Sequence, residues 1–132
     1  MEYFIGLVLA LAVSLFASVV GLDKDRAFYP TVLIVIALLY GLFAMIGGSL
    51  QALAREAVPM LIFIALATVG FRRNAWLVVI GLAGHGIFDF VHGRIIPNPG
   101  VPVWWPGFCL TYDVVAAIYL AVLIKRARRT AG

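Results

Sequence analysis

Long apolar runs broken by short polar turns dominate the chain. Residues 3–21, 31–46, 58–71, 75–92 and 108–124 are five such runs. At 1.5 Å of rise per helical residue, the first covers about 30 Å, the thickness of a bilayer's hydrocarbon core. The turns have their own chemistry. GLDKDRAFYP (21–30) carries four charges in a row, Asp23 to Arg26, and closes on Pro30, which is suited to a helix start. Gly47-Gly48 is placed to end or kink the second run. SLQALAREA (49–57) is amphipathic and holds Arg55 and Glu56. A proline-rich connection, RIIPNPGVPVWWPG (94–107), leads to the last run. The pattern predicts one all-α domain over 1–132, a polytopic transmembrane bundle of about five short spans. The third run is the weak one. Fourteen residues from Pro59's neighbourhood to Phe71 cross only about 21 Å, so it is either completed by the amphipathic stretch or re-entrant. The tail after Lys125 is expected to fray.

Composition agrees with that pattern. Of 132 residues 64% are hydrophobic and 12% charged. A soluble domain carries roughly 45–50% and about 25%, and a chain this short needs polar residues to cover its surface. Six of the ten basic residues lie beside apolar runs, as Arg72-Arg73 and as Lys125, Arg126, Arg128 and Arg129. The net charge of +4 is thus a positive-inside signal rather than a nucleic-acid groove, although a polybasic tail also suits anionic lipid. Placing both clusters in the cytoplasm brings Lys24 and Arg26 inside as well. The N-terminus is then outside, the C-terminus cytoplasmic, and the Trp104-Trp105 pair at the outer interface of a multi-pass protein of the cell (inner) membrane. Glu2 is the only early charge, so Tyr3 to Val20 lacks the basic n-region of a signal peptide and is expected to remain as a helix. The single Cys109 excludes an internal disulfide and is expected to pack.

Six acidic residues are present. Glu2 is terminal, and Asp23 and Asp25 share a turn with Lys24 and Arg26 and are expected to be solvated. The other three are Glu56, Asp89 and Asp113. Both histidines, His85 and His92, fall with Asp89 in GHGIFDFVHG (84–93). On a helix these three positions are i, i+4 and i+7, within about 60° of one face. Each ionisable group facing lipid costs roughly 2.5–3.5 kcal/mol, so that face is expected to point into the bundle. The topology brings Glu56 and Asp113 to the same level, with Arg55, Arg94, Tyr112 and Tyr3 as neighbours.

Imidazole and carboxylate ligands at helical spacing suit zinc, iron or manganese. His85, Asp89, His92 and Asp113 are the expected ligands, with Asp89 and Glu56 as the catalytic carboxylates. The two histidines are about 10.5 Å apart along an ideal axis, so one ion takes His85, Asp89 and Asp113, while two ions use the whole set. The metal-free alternative is a network joining Asp89 to a histidine and Asp113 to Arg94. Gly81, Gly84 and Gly86 give the fourth span a small face, with Gly41, Ala44 and Gly48 of the second as its expected partner.

The run H-x3-D-x2-H from His85, then the Pro/Trp-rich loop and Asp113, resembles a small uncharacterised bacterial integral-membrane protein family over the last third of the chain. The resemblance implies no activity, substrate or cofactor; it marks these polar residues as a unit. Multi-histidine membrane hydroxylases and seven-helix zinc hydrolases share the idea of an intramembrane metal but match neither the ligand set nor the helix count. The expected function is a small membrane enzyme acting on membrane lipids or another apolar substrate, hydrolysis ahead of isomerisation or oxidation. The competing class is a transporter or channel subunit, in which case a homo-oligomer is expected; the third is a structural membrane protein.

Overall fold

A computed structural model describes residues 1–24 and 26–131. Five helices cross in sequence: α1 Glu2–Val20, α2 Phe28–Ile46, α3 Leu50–Arg72, α4 Ala75–Ile95 and α5 Trp105–Ala131. All five are long and apolar enough to span a membrane. Their large apolar side chains face outward, Leu15, Phe16, Leu61, Ile87 and Ile118 among them, while Glu56, His85, Asp89, His92 and Asp113 are buried. Apolar outside and ionisable inside is the arrangement lipid selects. The protein is a polytopic transmembrane helical bundle.

Helix neighbours run α1–α5–α4–α3–α2, and α2 also touches α4. Small residues make the close approaches. The buried stripe of α1 is Gly6, Ala10, Ser14 and Ala17, and a Cβ at Gly6 would lie 2.4 Å from the Phe108 carbonyl oxygen of α5. The main apolar core sits among α2, α3, α4 and α5, around Leu33, Ala67, Val78, Leu82 and Ala116.

The third span takes the first of its two expected forms. Its helix starts not near Pro59 but at Leu50, takes in the amphipathic stretch and runs 23 residues. Ser49 caps it, its side chain accepting from Ala52 N at 3.0 Å. The buried positions Ala52, Glu56, Phe63, Ala67 and Gly70 form one continuous stripe through Pro59, with Arg55 on the exposed side. Pro59 forfeits one backbone bond, and the packed stripe carries the helix past it. The other boundaries shift for local reasons. α5 starts at Trp105, where Pro106 sits harmlessly in the first turn, and it persists beyond Lys125, with Thr130 Oγ1 donating to Ala127 O at 3.0 Å.

Asp23 is not simply solvated: it accepts from Ser18 Oγ, whose oxygen lies 2.7 Å from the Tyr119 hydroxyl. Asp25 lies outside the described residues. The glycine pairing also differs. Gly41 faces Met60 of α3, whereas Gly81 faces Leu33 of α2 and Gly86 faces α5.

Candidate metal centre

Four helices and one loop build the polar core of the bundle. His85 is midway along α4, and Asp89 follows one turn later on the same buried face. His85 Nδ1 lies 3.1 Å from Asp89 Oδ2 and 2.8 Å from Asp113 Oδ2 of α5. Asp113 gets there because α4 has a glycine opposite. A Cβ at Gly86 would stand 3.2 Å from both Asp113 Cβ and the Leu110 carbonyl oxygen, so a larger residue would push α5 away. One ligand atom from each of His85, Asp89 and Asp113 can be chosen so that all lie within 4.8 Å of one another.

A second group sits one to two turns nearer the end of α4. His92 Nε2 is 2.5 Å from Glu56 Oε1 of α3. The same oxygen accepts from Asn98 Nδ2 at 3.0 Å, and Asn98 also donates to the Tyr40 carbonyl at 3.1 Å. Tyr40 of α2 joins the two groups. Its hydroxyl donates to Asp89 Oδ1 at 2.5 Å, and its ring stacks on His92 with centroids 3.8 Å apart. Phe63 packs edge-on against His85, and Phe88 edge-on against His92. All five ionisable groups are 0–2% exposed.

The electrostatics of this core are unbalanced. Three carboxylates meet two imidazoles, and no lysine or arginine pairs with any of them among the described residues. Two carboxylate oxygens, Asp113 Oδ1 and Glu56 Oε2, are buried without a hydrogen-bond partner. Orphaned buried acceptors are costly in a dry interior, and a cation relieves them. The donor set, one imidazole nitrogen and two carboxylates, is of the kind that holds zinc, iron or manganese. His85, Asp89 and Asp113 would each offer one donor atom to such an ion.

The residues read from the sequence thus meet, though not as one set. His85, Asp89 and Asp113 form one group; His92 pairs with Glu56. The expected neighbours do not take part: Arg55, Arg94 and Tyr3 are exposed, and Tyr112 stacks on Phe108. No Asp113–Arg94 ion pair forms among the described residues. Two participants were missed. Tyr40 was signalled by lying on the stripe of Leu33, Ile36, Ala37 and Ala44, where it and Tyr29 carry the hydroxyls. Asn98, the lone amide in the crossover between Pro97 and Pro99, could have been read as a side chain held stiffly over the site.

The crossover is therefore part of the core. Gly100 packs so tightly on α2 that a Cβ there would fall 1.7 Å from the Phe43 carbonyl oxygen. Trp105 closes the same corner, its ring edge-on to Phe43 at 4.8 Å. Set against known families, curated proteins and solved structures, the chain matches none.

Proposed function

We propose that the chain is a small membrane-embedded metalloenzyme. His85, Asp89 and Asp113 hold one divalent ion, zinc, iron or manganese. The observation that carries this reading is the buried trio itself: its ligand atoms converge within 4.8 Å, no lysine or arginine pairs with it among the described residues, and Asp113 Oδ1 is left unpartnered there. Three protein ligands leave a coordination position for water, the arrangement of catalytic rather than structural sites.

Such an ion lowers the pKa of bound water and polarises a carbonyl or phosphoryl oxygen, so metal-assisted hydrolysis is the favoured reaction, ahead of isomerisation and oxidation. Asp89 is steered by the Tyr40 hydroxyl, which leaves its other oxygen for the metal. Glu56 and His92 are close enough to share a proton and supply the general base and acid. If a second ion binds, His92 and Glu56 are its ligands. A site walled by Phe63 and Phe88 inside lipid suits a lipid-like or other apolar substrate arriving through the membrane, and nucleic acid is not a partner. The positive-inside pattern supports an orientation with this end of the bundle toward the outer leaflet of a cell (inner) membrane.

A second reading is favoured by the hydrogen bonds. Asp113, His85, Asp89 and Tyr40 form an unbroken run, as a proton relay in a transporter or channel subunit does. Metal-dependent turnover separates the two. The detergent-purified protein is stripped with chelator, reloaded with zinc, manganese or ferrous iron, and given short-chain lipid esters and phosphodiesters. Hydrolysis restored by one metal and lost in Glu56→Gln supports the enzyme. Failure with all three metals, together with proton flux in liposomes that Asp89→Asn abolishes, would transfer the site to the relay.

A further inference from the structure

The opposite end of the bundle has a cavity that the metal site does not use. It has a volume of about 670 Å³. Four cations line it from three separate segments: Lys24 and Arg26 from the α1–α2 turn, Arg73 from the α3–α4 turn, and Arg128 from the end of α5. One described carboxylate, Asp23, is among the lining residues, and Ser18 already donates to it. None of the four cations makes an ion pair among the described residues. The deeper wall is apolar, built by Val78, Leu120 and Leu123.

Two further features suit an anion. α4 starts at the cavity, where Asn74 caps it and the first-turn amides give a positive dipole end. The Arg128 guanidinium carbon lies 5.9 Å from the Trp76 ring centre, which holds that charge at the rim. Basic residues needed only to orient the chain could lie anywhere along the cytoplasmic loops. Here they converge on one hollow with an apolar floor.

We infer that this cavity binds a phosphate-bearing anion, from an anionic lipid headgroup or from free phosphate. The cations and the start of α4 take the phosphate oxygens, and the apolar wall takes whatever chain is attached. A volume of this size falls within the range of small-molecule sites.

Native mass spectrometry of the full chain in detergent tests this with three probes: dihexanoyl phosphatidylglycerol, dihexanoyl phosphatidylcholine and inorganic phosphate. Wild type is compared with Arg73→Gln/Arg128→Gln and with the control Arg55→Gln/Arg94→Gln, which removes equal charge from exposed positions at the other end. Saturable binding of the glycerol lipid or of phosphate, weakened roughly tenfold or more in the first pair and less than about twofold in the second, supports the site. Lipid binding that phosphate does not displace identifies the headgroup as the source; phosphate binding as well as the lipid identifies the free ion. Equal binding in wild type and the first pair, equal losses in both pairs, or equal affinity for phosphatidylcholine and phosphatidylglycerol would overturn it.

Discussion

At one end of the bundle, where α3 begins and α4 finishes, three carboxylates and two imidazoles are withdrawn to 0–2% exposure and locked by contacts of 2.5–3.1 Å. At the other, Lys24, Arg26, Arg73 and Arg128 ring an open hollow without bonding to carboxylates among the described residues. The two ends use opposite physics. Inside lipid, a charge left unpaired is expensive, so the acidic end must close its own balance with a cation or a proton. At the interface, water screens each charge, and cations can wait for a ligand at little cost. Substitutions should therefore act strongly at the first end and weakly at the second.

The largest effect belongs to the trio. His85→Ala removes the only imidazole facing Asp89 and Asp113 and leaves both carboxylates buried. Metal is expected to be lost, and stability to fall by about 3–5 kcal/mol, read from unfolding in mixed micelles. A loss below about 1 kcal/mol would mean that His85 does not balance this charge. Gly86→Leu attacks the same contact through packing alone. It is expected to cost about 1–3 kcal/mol and to lower metal occupancy, because it forces α5 away from α4. Retained occupancy in a stable Gly86→Leu protein would count against the close helix approach.

Tyr40→Phe sharpens the comparison, since it removes one hydroxyl and little volume. Metal affinity measured against a competing chelator should fall about 10–100-fold, the usual effect of losing a residue that orients a ligand. Unchanged affinity would leave Tyr40 as packing only. Asn98→Ala removes three hydrogen bonds, two donated by Nδ2 and one accepted from Gly100 N, and is expected to cost about 1–3 kcal/mol in the same micelle experiment. At the basic end, Arg73→Gln/Arg128→Gln should change stability by less than about 0.5 kcal/mol and leave bound metal as in wild type. A larger effect there would show that the two ends are coupled.

Much of this was legible in the sequence because lipid imposes a simple rule on composition. Five apolar runs with basic flanks give five helices, and the i, i+4, i+7 spacing of His85, Asp89 and His92 gives one buried face. Position along a helix is local information. Lateral partnership is not: the expected trio of His85, Asp89 and Asp113 does converge, but the pairing of His92 with Glu56 is set by tertiary contact alone. His92 lies on the same face as His85, yet it meets Glu56 of α3. The choice between a completed and a re-entrant third span also rests on packing: Glu56 continues the buried stripe of Ala52 and Phe63 past Pro59. Tyr40 and Asn98 were missed for a related reason: a tyrosine in an apolar run and an asparagine in a loop each have common structural uses, and only tertiary contact singles them out.

Elemental analysis tests the central claim most directly, on detergent-purified wild type beside His85→Ala and Asp113→Asn. The account predicts close to one equivalent of zinc, iron or manganese per wild-type chain and none in either variant. Folded wild type that stays metal-free after incubation with each of the three ions would contradict it and leave a proton network in the core of the bundle.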